Sequence, residues 1–162
     1  MMKVLRWLAM VVGMIALLIG GVFVAARFHD GPLGLAPGGA LRSGEIVVEP
    51  VSDWKFADVE TIELQLADES TSRTTWILLH DGRAFIPANL SFPPGKRWHK
   101  AADQNGAAWV RVGGRRYPVT LARTQDEPTR AALIEVVRGK YGGGGPPSEG
   151  GVWFFEMSSR AP

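Results

Sequence analysis

Hydrophobic positions along this chain follow three different patterns, and each predicts a different kind of element. From Trp7 to Ala26 every side chain is apolar or absent, a continuous run of 20 residues. A helix of that length is about 30 Å long, the thickness of a bilayer's hydrocarbon core. Lys3 and Arg6 precede the run, Arg27 closes it, and Trp7 stands where an interfacial aromatic would stand. The run exceeds the roughly 7–15 apolar residues of a cleaved signal peptide, so an uncleaved transmembrane anchor over 1–28 is the reading it favours.

From Asp58 the pattern alternates with period two. "VETIELQLA" puts Ile62, Leu64 and Leu66 on one face and Glu63 and Gln65 on the other, which predicts a half-buried strand. "TTWILLH" reads as a second strand, apolar on both faces and therefore central in its sheet. Asp81-Gly82 predicts a type I′ hairpin turn, and "AFIPA" returns as a third strand that ends or reaches an edge at Pro87. Pro93-Pro94-Gly95 is an elbow. A short helix is expected from Lys96 to Gln104, stopped by Asn105-Gly106. "AAWVRV" and "RRYPVTLAR" form a hairpin across Gly113-Gly114. Helical spacing then takes over: Ala132, Leu133, Val136 and Val137 repeat after Pro128. A Gly/Pro-rich loop over 142–151 leads to a last strand, "VWFFEMS". Six strands, hairpin turns and two helices predict a small, nearly closed antiparallel β-barrel over 58–162. Residues 29–57, rich in Gly and Pro but carrying Leu33, Leu35, Leu41 and Ile46, are expected to be a linker lying against the domain or the membrane.

Charge sharpens this picture in one place. The chain has 18 Lys+Arg against 16 Asp+Glu, a net charge of +2. Lys3 and Arg6 account for the excess, so the domain is neutral overall and offers no broad basic face for nucleic acid. Between Lys96 and Arg116, however, six cations meet only Asp103. Around the apolar run, Lys3, Arg6 and the terminal amine outweigh Arg27 and Arg42, which Asp30 partly offsets. The positive-inside rule then tips the domain to the extracytoplasmic side of a single-pass membrane protein. There is no cysteine, which removes disulfides and thiolate metal sites. His29, His80 and His99 fall at no metal-ligand spacing.

Three stretches together resemble one superfamily. "WILLHDGRAFIPA", "GKRWHKAADQNGAAWVRVGGRRYPVTLAR" and "EPTRAALIEVVRGKYG" resemble the paired strands, short helix with following hairpin, and late helix of the split β-barrel proteins. These are the pyridoxamine-phosphate-oxidase-like and flavin-reductase-like proteins, including the deazaflavin-dependent nitroreductase branch. The resemblance covers roughly residues 58–158 and is one of arrangement. It implies a six-stranded split barrel and a homodimer binding FMN, a deazaflavin or haem, with basic side chains near the third strand and short helix meeting the cofactor phosphate.

Carried onto this chain, the implied cofactor neighbourhood is Asn89, Ser91, Lys96, Arg97, Trp98 and Lys100, with Arg111 reaching toward the same anion. Arg presents a planar fork to phosphate oxygens, and Lys adds a mobile point charge. Lys96 and Lys100, four apart on a helix, repel one another unless an anion lies between them. Trp98 is either a platform for the cofactor ring or the core anchor of the short helix. His99 is either a proton-transfer group or an ordinary surface histidine. Two functions follow: a membrane-anchored flavin- or deazaflavin-dependent oxidoreductase, or a cofactor-free module tethered to the bilayer.

Overall fold

The structure is a computed structural model that describes residues 2–142 and 151–161. Among the described residues three α-helices are present: α1 (Met2–Ala26), α2 (Trp98–Gln104) and α3 (Glu127–Tyr141). The strands are β1 (Thr61–Leu66), β2 (Arg73–Trp76), β3 (Leu78–His80), β4 (Arg83–Asn89), β5 (Ala107–Val112), β6 (Arg115–Arg123) and β7 (Val152–Ser159). All their pairings are antiparallel, in the order β2-β1-β5-β6-β7-β4-β3. Most of the Gly/Pro-rich loop expected over 142–151 lies outside the described residues.

Seven strands replace the expected six because "TTWILLH" is two half-strands rather than one. It is also not central. β2 pairs with β1 and β3 pairs with β4, at opposite ends of the strand order, and only Ile77 separates them. That one residue joins the two ends of the sheet and curls it into a nearly closed barrel. The switch coincides with Pro87. Extending the β3–β4 register from Leu78↔Phe85 would set Trp76 opposite Pro87, but Trp76 pairs with Thr61 instead. Of the two outcomes expected at Pro87, an end or an edge, the edge is the one observed: β4 loses its β3 neighbour there but runs on to Asn89 against β7. Proline's missing donor falls where the β3-side partner has already left.

The alternating pattern works on both barrel faces. Ile62, Leu64, Leu66, Ala84, Ile86, Ala88, Val110, Val119, Leu121, Phe155 and Met157 fill the interior. On the outside of β4 and β7, Phe85, Val152 and Phe154 meet Leu133 and Val137 of α3, so these strands are apolar on both faces. Asp126 caps α3 by accepting from the Thr129 amide at 2.9 Å, and Pro128 lies in its first turn. The two-residue hairpins behave as type I′ turns: Asp81 and Gly82 have φ of 52° and 73°, Gly113 and Gly114 of 56° and 77°.

Residues 29–57 form a strap on the barrel. Gly38 exchanges backbone hydrogen bonds with Ser72 at 3.0 and 3.1 Å. Glu45 and Val47 flank Arg116 in a short parallel bridge. The Leu41 amide donates to the Gln65 side chain at 2.8 Å. α1 stands apart from this body: of its residues only Ala26 is buried, and the helix is long and apolar enough to cross a membrane.

Candidate functional site

The segment from Asn89 to Gln104 leaves the barrel as a loop and returns as a helix. Asn89 is committed to shaping that loop: its Oδ1 accepts from the amides of Ser91 (2.9 Å) and Phe92 (3.1 Å). Ser91 is exposed. The half-buried Lys96 donates from Nζ to the Phe92 carbonyl, and desolvation lowers its pKa. α2 begins at Trp98, two residues later than expected, with Arg97 as an N-cap whose side chain makes no capping bond. The helix does not end in a left-handed cap. Asn105 turns extended, and Gly106 is needed for another reason: a Cβ there would overlap the Leu121 carbonyl oxygen of β6.

Trp98 and His99 point inward, while Arg97 and Lys100 are exposed. Trp98 is only 7% exposed, and its ring centroid lies 5.7 Å from that of Phe155. It plugs the barrel interior rather than presenting a face to a ligand, because an indole contributes most to a small core when it is desolvated. His99 corrects the surface reading. It is 5% exposed and stands edge-on to Trp153, with ring centroids 5.2 Å apart. Burial, with Lys96 and Lys100 nearby, lowers its pKa against the opposing pull of Asp103. The imidazole is therefore held neutral.

Two buried nitrogens beside Trp98 have no hydrogen-bond partner among the described residues: Nδ1 of His99 and Nε of Arg73. The Arg73 guanidinium sits over the Trp98 ring, 5.8 Å from its centroid, and pairs with Glu69 through its other end. Unpartnered buried polar atoms are uncommon in native structures and mark a place to look for water or ligand. No acidic side chain pairs with Lys96, Arg97 or Lys100 among the described residues. Neither Arg73 nor Glu69 was singled out from sequence. Only folding brings β2 against α2.

Arg111 does not join this group. It lies four residues along β5 from Ala107, about 13 Å of strand, and faces the strap. With its side chain 11% exposed, it pairs with Glu63 and with Asp30 (3.1 Å). It also donates to the Asp30 carbonyl (3.0 Å) and the Ser43 hydroxyl (3.0 Å). Asp30 in turn accepts from the amides of Arg42 (2.7 Å) and Ser43 (3.0 Å). Burial alone would raise the Asp30 pKa. The two amides, the Ser43 hydroxyl and the Arg111 charge together hold it well below the usual carboxylate range. Two carboxylates already neutralise Arg111, which leaves it no charge to offer a phosphate. An open cleft of about 550 Å³ lies beside it, lined by Pro32, Gly34, Thr61, Glu63, Thr74 and Arg111 among others. None of the other six predicted site residues reaches that cleft.

No family model matches the chain, and no curated protein matches it by sequence. Among solved structures, the chain is similar to the crystal structure of a "Putative Pyridoxamine 5'-phosphate oxidase" from Listeria innocua. The identity is 14% and the TM-score 0.50, over 66% of this chain and 90% of that one. The likeness defines the architecture as a split barrel. At this identity it carries the fold alone.

Proposed function

We propose that the protein is a membrane-anchored split barrel that binds an anionic cofactor of the FMN or deazaflavin class on the face of Lys96, Arg97 and Lys100. The supporting observation is the pairing of three cations that lack acidic partners with a buried histidine whose Nδ1 lacks a hydrogen-bond partner, both among the described residues. Such a donor set fits a phosphate: Arg97 can present two parallel N–H groups, and the two lysines gain a counter-charge. When bound, a flavin or deazaflavin supplies hydride chemistry. The chain's part here is to hold the anionic end and to keep His99 uncharged beside it. Trp98 and Arg111 take no part, since the core and the strap already use them.

The test is a spectrum and titration of the detergent-solubilised full chain with FMN and with a deazaflavin. Saturable binding that is lost in the Lys96→Gln/Lys100→Gln double variant supports the reading. A colourless protein that takes up neither cofactor sinks it.

That outcome would favour a second reading, a cofactor-free barrel serving as a tethered module. Three of the seven residues expected to hold a cofactor, Asn89, Trp98 and Arg111, are engaged elsewhere, which is the observation on its side. In either reading α1 anchors the chain, with the barrel on the extracytoplasmic side. A reporter fused after Pro162 tests that orientation.

A further inference from the structure

α1 does not run into a free tether. The Gly39 amide lies within hydrogen-bonding distance of the carbonyls of both Ala26 (3.1 Å) and His29 (3.0 Å), tying the helix end to the strap. Between these points the strap makes a tight hairpin. Leu33 and Ala36 exchange backbone hydrogen bonds at 3.1 and 3.0 Å, with Gly34 (φ 59°) and Leu35 at the tip. The Thr74 hydroxyl of β2 donates to the Gly34 carbonyl at 2.7 Å, so the barrel holds the tip in place.

What is held in place is apolar and uncovered. Leu35 is 100% exposed, Phe28 is 84% exposed, and Leu33 is partly so. The charges of this segment without an ion-pair partner among the described residues have one sign. Arg27 and Arg42 are exposed and pair with no carboxylate among the described residues. The nearest acid in sequence, Asp30, is occupied by Arg111 and by the amides of Arg42 and Ser43. Phe28 lies two residues beyond the apolar helix. Leu35 lies on the order of 10 Å from the Gly38–Gly39 attachment, comparable with the depth of an interfacial element.

We propose that the strap from Arg27 to Arg42 is a second membrane contact. In this arrangement Phe28, Leu33 and Leu35 enter the interfacial layer of an anionic bilayer, and Arg27 and Arg42 meet its headgroups. The barrel is thereby seated in one orientation instead of swinging on a tether. The inference rests on the anchoring part of the reading above and is independent of any cofactor.

The chain contains no cysteine, so single-cysteine variants can each carry one environment-sensitive fluorophore. Full-length Phe28→Cys, Leu35→Cys, Leu17→Cys and Glu135→Cys would be labelled and reconstituted into phosphatidylcholine vesicles, with and without phosphatidylglycerol. Lipid-borne and aqueous quenchers would then be compared. We expect labels at 28 and 35 to be quenched from the lipid side and shielded severalfold from iodide relative to 135, more strongly with phosphatidylglycerol. A label at 17 quenched within the bilayer, with 28 and 35 as open to iodide as 135, overturns the seat and leaves the anchor standing. A label at 17 that lipid quenchers do not reach removes the anchor and the seat together. Quenching at 35 that is equal in both lipid compositions overturns the part given to Arg27 and Arg42.

Discussion

The Tyr141 hydroxyl at the end of α3 donates to the carbonyl of Ile77 over 3.0 Å, at the single residue where β2 hands over to β3. The same hydroxyl lies 2.7 Å from the Glu60 carbonyl, and Lys140 Nζ adds a contact to Ile77 at 3.3 Å. The Tyr141 ring stacks on Trp76 with 4.1 Å between centroids and 7° between planes. A strand that changes partners leaves its carbonyl outside either ladder, and α3 supplies the missing donors.

Removing that donor should loosen the barrel's closing point. Tyr141→Phe keeps the stack on Trp76 but loses the hydroxyl, and should cost about 1–2 kcal/mol in denaturant unfolding. Desolvation, largest among the causes, pushes the Tyr141 pKa up from 10.0 to about 12. The folded state therefore holds its proton more tightly than the unfolded state. The stabilisation is complete below about pH 10 and is lost as pH rises toward 12. Tyr141→Phe should flatten the stability profile in that range.

Gly106 tests the close approach of α2's exit to β6. Gly106→Ala drives a Cβ into the Leu121 carbonyl, whose own amide donates to Gly106 at 2.8 Å. Backbone cannot yield as a side-chain tip can, so a loss of about 3 kcal/mol or more is expected. Gly113→Ala is the contrasting case, because nothing lies within 4 Å of that added carbon. Its cost should be only that of a residue held at positive φ, about 1 kcal/mol. Thermal unfolding of the two variants side by side decides.

Arg111→Met should free the strap. The change leaves Glu63 and Asp30 facing each other without their shared cation, at an expected cost of about 3 kcal/mol. Hydrogen exchange should accelerate at the Arg42, Ser43 and Arg116 amides, which the strap protects. Amides of β4 and β7 should change little.

His99 gives the fold an acid limit. Its folded pKa lies below the ordinary 6.5, so between that value and the lower folded one the unfolded chain binds more protons. Stability is complete above about pH 6.5 and falls as pH drops through that window. His99→Phe should remove the slope. Lys96→Gln/Lys100→Gln should move the His99 titration, followed by NMR, back upward by relieving the repulsion.

How legible the protein was depends on which physics each feature obeys. The strands β1, β4, β5, β6 and β7, the turns at Asp81-Gly82 and Gly113-Gly114 and the helix α3 were readable. Period-two and helical spacing, positive-φ glycines and a proline at a helix start act within a few residues. The same holds for the apolar run of α1. The break at Ile77 was not readable, because "TTWILLH" is apolar on both faces at its centre and nothing local says that its two halves face different partners. The basic cluster was legible as charge. Which members remain unpaired was not, since Glu63 lies 48 residues from Arg111 and Asp30 lies 81 away.

The sequence by itself therefore determined an apolar helix, a set of hairpin strands and a concentration of cations after the double proline, because short-range sterics and hydrophobic periodicity decide those. Tertiary structure alone decided that Trp98 belongs to the core, that Arg111 holds the strap, and that His99 and Arg73 keep unpartnered nitrogens beside the same indole. Burial and ion pairing are properties of neighbours distant along the chain, and no spacing rule encodes which neighbours the closing of a barrel will supply.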